Sequence, residues 1–236
     1  MIELIIGITV FSIIQSIFGV GLLLFGTPTL LLMGYSYSVT LWILLPCSIV
    51  ISLIQTVNNY NLVRAKKKVT YFTIPTMILS LVFVVSYDQV LDISTIVGSF
   101  LLFIGIVRLS PKLQAYLQFF LVKKLKLYYM LIGFVHGFSN MGGGPLSILM
   151  STLYNDKVKI RTNIAFIYLI LVLFQLVVLA ALDLSGLKYV NINLMLISLS
   201  VYLITNKYIS SKVDDEKYTI FINILVLIYG ILALVG

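Results

Sequence analysis

Cysteine, histidine and acidic residues are scarce in this chain, and each scarcity narrows what it does. A single cysteine, Cys47, rules out an intrachain disulfide, and its apolar neighbours suit packing rather than reactivity. His136 is the only histidine, and Asp and Glu together number 8. No cluster of carboxylate, histidine and cysteine lies within an apolar stretch, so a divalent-metal carrier is disfavoured and no metal ligands are expected. The acidic residues nearest to apolar stretches, Asp88, Asp92 and Asp183, stand near their ends rather than deep inside. A proton-coupled carrier built on a buried carboxylate is therefore disfavoured, which leaves His136 or no proton coupling. No phosphate-binding G-x-x-x-x-G-K-[ST] loop occurs, so ATP hydrolysis is not expected, nor is any cofactor. The start, Met1-Ile2-Glu3, has no basic stretch ahead of its apolar run, so a cleaved signal peptide is not expected.

Apolar side chains fill the space these absences leave. They make up 61% of the 236 residues, against about 45–50% in soluble domains. That is more than one water-facing domain can bury, and it indicates an integral membrane protein with the lipid bilayer as its main partner. The net charge of +8 does not point to nucleic acid, because the basic residues lie in short loops between apolar segments. Those segments lie near 2–34, 35–57, 72–87, 90–107, 128–153, 163–182, 190–206 and 218–235. Most are long enough for one crossing of a hydrocarbon layer about 30 Å thick. Pro46 and Pro75 fall inside two of them and are expected to kink them.

The first and fifth segments differ from the others. Each contains a glycine-rich interruption followed by proline: "FGVGLLLFGTPTLLLMG" at 18–34 and "HGFSNMGGGPLSILMS" at 136–151. A shift of 117 residues superposes Pro28 on Pro145, Gly26 on Gly143 and Met33 on Met150. Three further apolar spans follow each interruption, which argues for two repeats, 1–110 and 128–236, joined by a linker at 111–127. The linker mixes Leu, Phe and Tyr with Lys, and suits either a helix lying on the membrane surface or a plain connector.

Charge tests the topology. Of the 16 Lys and Arg, four lie in 58–71, five in 108–127, three in 155–161, three in 207–217 and one at Lys188. Eight single crossings would scatter these charges over both faces. If the two interrupted segments are instead hairpins that enter and leave on one side, 15 of the 16 share one face. The positive-inside rule prefers that arrangement, makes the basic loops cytoplasmic and places both termini outside. The expected fold is thus an all-α polytopic membrane protein of two inverted repeats, each a broken-helix hairpin plus three transmembrane helices.

Interrupted helices at membrane depth are tolerated where protein or a water-filled cavity satisfies the freed backbone, and they mark substrate sites in transporters. Here Thr27 is expected to cap a half-helix starting at Pro28, and Gly144 to precede one starting at Pro145. Two helix N-termini would then offer free amides and partial positive charge to an anion. The candidate binding residues are Gly26, Thr27, Pro28, His136, Ser139, Asn140, Gly142, Gly143, Gly144 and Pro145. The competing reading makes the glycines close-packing surfaces between helices. His136 is either a functional group or a neutral imidazole bonded to neighbouring backbone. Gln15 and Gln175 either line a polar path or glue helices, and Arg161 either draws anions into an inner vestibule or sets topology at the surface. Two other classes stay open: an intramembrane enzyme using Ser139 and His136, and a non-transporting scaffold subunit. The oligomeric state is also open.

The stretch "GFVHGFSNMGGGPLSILM" at 133–150, with its counterpart "FGVGLLLFGTPTLLL" at 18–32, resembles the paired glycine-rich signatures of the sulfite exporter TauE/SafE family. Gly137, Gly142, Gly143, Gly144 and Pro145 match the second signature in order. The first patch keeps Gly19 and Gly21 but replaces the glycine cluster by Leu22-Leu23-Leu24-Phe25. The resemblance implies a non-enzymatic inner-membrane transporter whose substrate is a small anion such as sulfite, a sulfonate or a related organic anion.

Overall fold

The computed structural model describes residues 2–64, 66–88, 90–208 and 231. The described residues are helical, in the order α1 (Ile2–Phe18), α2 (Leu22–Leu32), α3 (Tyr37–Asn58), α4 (Lys66–Lys68), α5 (Ile74–Ser86), α6 (Ile93–Leu109), α7 (Pro111–Lys123), α8 (Leu125–Ser139), α9 (Gly143–Leu153), α10 (Lys157–Leu182) and α11 (Ile192–Tyr208). Among the described residues there is no strand. Seven of the eight expected apolar segments coincide with α1–α2, α3, α5, α6, α8–α9, α10 and α11. The eighth, 218–235, lies outside the described residues except for Ile231, as does 209–217 of the last basic loop. Three stretches are long and apolar enough to span a bilayer: Tyr37–Asn58, Val69–Ser86 and Lys157–Leu182.

Three acidic residues cap the starts of helices. Asp92 accepts from the Thr95 amide at 3.0 Å and opens α6. Asp156 accepts from the Lys159 amide at 2.7 Å and opens α10. Asp88 reaches over from the end of α5 to accept from the Tyr37 and Ser38 amides at the start of α3, both at 3.3 Å. Each caps amides that a helix start leaves unpaired and sets negative charge against the positive end of a dipole. The Thr95 hydroxyl and amide hold the Asp92 carboxyl below its ordinary range, so this cap is ionised at neutral pH and is lost only in acid. Ser110 caps α7 in the same way, and the linker is a helix rather than a plain connector.

Both interrupted segments double back. The Phe11 and Phe25 rings, on α1 and α2, stack with centroids 6.4 Å apart; as one rod, those residues would lie about 21 Å apart. On α8 and α9, the Tyr128 hydroxyl donates to the Pro145 carbonyl at 3.0 Å, where a continuous helix would separate the residues by about 25 Å.

Small residues allow the closest helix contacts. Gly133 and Gly137 lie one turn apart on α8 and face α5. A Cβ on Gly133 would overlap the Thr73 carbonyl and the Thr76 hydroxyl, and one on Gly137 would overlap the Met77 carbonyl and the Ser80 hydroxyl. Without a hydrophobic drive between helices in lipid, this backbone approach is the source of packing energy. Helix α10 packs against α3, and α1 against α11. Pro75 lies inside the membrane-length stretch Val69–Ser86, as the second residue of α5 just after the π-turn Val69–Thr73. Pro46 lies inside α3.

The glycine contacts rank two substitutions. Gly137→Ala drives a methyl into backbone, which cannot swing away, and should destabilise the detergent-purified protein by about 1–3 kcal/mol. Gly26→Ala meets only the Leu44 methyls, at 2.9 and 3.0 Å, and should cost less. Equal melting temperatures for the two variants would refute the ranking.

Candidate functional site

The first interruption lies between α1 and α2 and spans residues 19–21; the second lies between α8 and α9 and spans 140–142. Their geometries match. Gly19, with φ 75°, and Asn140, with φ 60°, end the leading helices in the left-handed conformation. The Gly19 amide donates to the Gln15 carbonyl and the Asn140 amide to the His136 carbonyl, each at 2.8 Å. Asn140 is the one non-glycine residue with positive φ among those described, and asparagine tolerates this conformation better than most side chains. Gly21 and Gly142 then pass the turn they have just left: a Cβ on either would lie 2.6 Å from Gln15 N or His136 Cβ.

This geometry corrects the register taken from the prolines. Helices α2 and α9 have 11 residues each and correspond at a shift of 121, from 22 to 143 and from 32 to 153, not 117. Thr27 does not cap a half-helix beginning at Pro28. Helix α2 starts at Leu22 and runs unbroken through Gly26, Thr27 and Pro28. The Gln15 side chain caps it instead, its Oε1 accepting from the Leu22 amide at 3.1 Å. The physical signal for a break was the residue able to turn left-handed, not the proline. Helix α9 begins at Gly143, two residues before Pro145, with Gly142 at its cap position and no side chain capping it.

Each interruption touches the helix that follows the other. The Asn140 amide Nδ2 donates to the Thr27 hydroxyl at 2.9 Å, across 113 residues of sequence. A Cβ on Gly143 would lie 3.2 Å from Val20, within the first interruption. From Asn140 a chain of polar groups continues: Gln175 Nε2 donates to Asn140 Oδ1 at 3.4 Å, and His136 Nε2 lies 3.1 Å from Gln175 Oε1. An amide oxygen only accepts, so with this amide orientation Nε2 carries the imidazole hydrogen. Thr27, His136, Asn140 and Gln175 are all fully buried. His136 thus bonds to a side chain, not to neighbouring backbone, and Gln175 glues α10 to α8.

Two buried polar atoms at the start of α9 have no partner, His136 Nδ1 and the Tyr168 hydroxyl. Their rings lie 5.6 Å apart. Gly142 and Gly143 make room for them: a Cβ on Gly142 would sit 2.9 Å from His136 Nδ1, and one on Gly143 would overlap the Tyr168 hydroxyl. Tyr168 was not apparent from sequence, because an aromatic residue inside an apolar helix carries no signal of its own. Gln15 and Gln175 were visible as amides in apolar segments.

Other expected site residues fall elsewhere. Gly26 and Gly144 are packing glycines against Leu44 and Ile104. Pro28 is interior to α2, and Pro145 offers its carbonyl to Tyr128. The Ser139 hydroxyl donates to the Val135 carbonyl at 2.7 Å, one turn back on its own helix, and His136 is engaged with Gln175. Serine and histidine are therefore not paired for nucleophilic attack. Among the described residues no group of three or more His, Cys, Asp or Glu could hold a metal.

Two measurements test this geometry. Gly143→Ala should destabilise by about 1–3 kcal/mol, and Tyr168→Phe, which removes the conflicting oxygen, should recover part of that loss; additive effects in the double variant would disprove the contact. Asn140→Gly keeps the left-handed turn and should cost about 1–3 kcal/mol from the bonds lost to Thr27 and Gln175. Asn140→Ala should cost more, since it adds backbone strain; the reverse order would disprove the assigned turn.

No curated protein and no solved structure matches the chain. The family described as sulfite exporter TauE/SafE matches it over residues 4–233, nearly its whole length. With three stretches long and apolar enough to cross a bilayer, the chain is a multi-pass membrane protein, and it belongs to the sulfite exporter TauE/SafE family of anion transporters.

Proposed function

We propose that this chain is a secondary transporter of small oxyanions, sulfite or a sulfonate among them, that works by alternating access between two inverted repeats. The observation that carries the reading is that each helix interruption touches the helix that follows the other, Asn140 at Thr27 of α2 and Val20 at Gly143 of α9, beside the uncapped start of α9. Backbone that leaves its helix in the buried interior of a membrane protein is a costly arrangement, and substrate sites are where it recurs. The repeat reading is supported by matched contacts: α1 packs on α2 and α11 as α8 packs on α9 and α5. The charge distribution supports the inverted orientation, with the basic loops on the cytoplasmic side.

The chemistry suits an anion. At the start of α9 the Gly144 amide is bonded to the Met141 carbonyl and Pro145 has no N–H, so the Gly143 amide and the positive end of the helix dipole are what attract negative charge. The Tyr168 hydroxyl adds a donor. The Asn140 amide and Thr27 hydroxyl would orient the substrate by exchanging their mutual bond for bonds to it. In the neutral ring His136 Nδ1 carries a lone pair, which suits an anion that arrives protonated; a proton taken up there turns it into a donor. No carboxylate lies beside this site to oppose an anion, because the acidic side chains among the described residues sit at helix ends.

Proteoliposomes loaded with purified protein provide the test. Sulfite should be carried, sulfonates and sulfate should compete better than chloride, and Gly143→Leu should abolish transport while leaving membrane insertion intact. Thr27→Val, a near-isosteric change, should alter the half-saturating concentration by about tenfold, the worth of one charge-assisted bond. Wild-type transport rates in Gly143→Leu would overturn the assignment.

A further inference from the structure

Between Asp92 and Asp156 the chain carries no acidic residue, yet Lys112, Lys123, Lys124 and Lys126 fall within that interval. The first two lie on α7, the helix that joins the two halves, and the others open α8. All four side chains are exposed, and among the described residues none of them makes an ion pair. Helix α7 has 13 residues and is about 20 Å long, too short to cross a hydrocarbon layer of about 30 Å.

The two faces of α7 differ in kind. Its inner face packs on α6, α8 and α9: Leu121 is fully buried, and Leu117 and Phe120 lie against the core. On the outward face Lys112, Tyr116, Phe119 and Lys123 follow at spacings of four, three and four residues, which makes one continuous stripe. Tyr116 is 68% exposed and Phe119 58%, and the Lys123 ammonium stands 4.2 Å from the centre of the Phe119 ring. A similar mixture continues next to it. Lys126 Nζ lies 5.8 Å from the centre of the Phe72 ring, and Tyr71 and Lys68, just before it in the chain, are exposed as well.

This composition selects a surrounding. Bulk water would leave two large rings without apolar cover, and hydrocarbon would strand two ammonium groups. The headgroup layer suits both, because rings settle at the acyl boundary while lysine stems run along it and bring their charge to the phosphates. A second protein fits less well, since lysine is depleted from the centres of protein interfaces and here it frames the stripe at both ends. With four unpaired cations and no carboxylate on this segment, the complementary surface is an anionic one.

We propose that α7 is an interfacial helix that docks on the headgroups of anionic phospholipid through Lys112, Tyr116, Phe119 and Lys123. This surface is independent of the transport reading above and stands or falls without it. Purified full-length protein in detergent is titrated with phosphatidylglycerol, phosphatidylcholine or inorganic phosphate while its melting temperature is followed. Phosphatidylglycerol should stabilise it with an affinity that falls as salt rises; phosphatidylcholine should act weakly and inorganic phosphate not at all. Lys112→Gln combined with Lys123→Gln should weaken phosphatidylglycerol about 25-fold, at about fivefold for each lysine near an anionic surface. Lys188→Gln, between α10 and α11, should leave it unchanged. A spin label on Ala115→Cys, an exposed position next to the stripe, reads depth in phosphatidylglycerol nanodiscs, since the native Cys47 is buried away from the reagent. The label should sit at phosphate level. A label in open water or deep among acyl chains, or wild-type affinity in the double lysine variant, overturns the docking surface. Equal stabilisation by inorganic phosphate overturns lipid as the occupant, and equal stabilisation by phosphatidylcholine overturns the selection by charge.

Discussion

A backbone amide or carbonyl that leaves its helix within hydrocarbon has no water to turn to, and the interior of this protein is organised around that constraint. The chain interrupts its helices twice at depth, and each interruption is closed by local means. A left-handed residue returns its amide to the carbonyl four positions back, at Gly19 and at Asn140. Gln15 supplies a capping oxygen to the helix that follows the first break. The second break has no such cap, and there the protein gathers buried polar side chains instead: His136, Asn140 and Gln175, joined to Thr27 of α2. Unpaired polar groups cost far more in a dry interior than in water, so these groups either satisfy each other or await a ligand that does.

The glycines that mark the second signature divide into two kinds of work. Gly133 and Gly137 bring α8 and α5 into backbone contact, which is packing in the sense usual for membrane helices. Gly142 and Gly143 clear space for His136 and Tyr168 at the opening of α9. Packing and binding were competing explanations of one motif, and its glycines differ in whether they face helix backbone or buried polar side chains. The same division separates Gly144, against Ile104, from its neighbour Gly143.

What sequence made legible follows from which signals are local. Apolar runs located α3, α5, α6, α10 and α11, because burial in lipid acts on runs of near neighbours. The presence of two breaks was legible too, since Gly19, Gly21 and the run Gly142–Gly144 are poor helix formers. Their register was not. Matching prolines placed the first break at Thr27–Pro28, whereas a proline seven residues into α2 is accommodated once the helix is packed on α3. Asn140 in place of a glycine concealed the true correspondence with Gly19.

Sequence by itself therefore determined that the chain lives in a bilayer, that two of its segments fail as continuous rods, and that its basic charge gathers in a few loops. These are consequences of composition and of contacts between near neighbours. Tertiary structure alone decided that each break touches the helix after the other, that Thr27 answers Asn140 over 113 residues, and that Tyr168 faces Gly143. Each of those depends on which helix faces which, and helix pairing in lipid is chosen by the fit of small surfaces far apart in the chain, for which no single residue carries a mark.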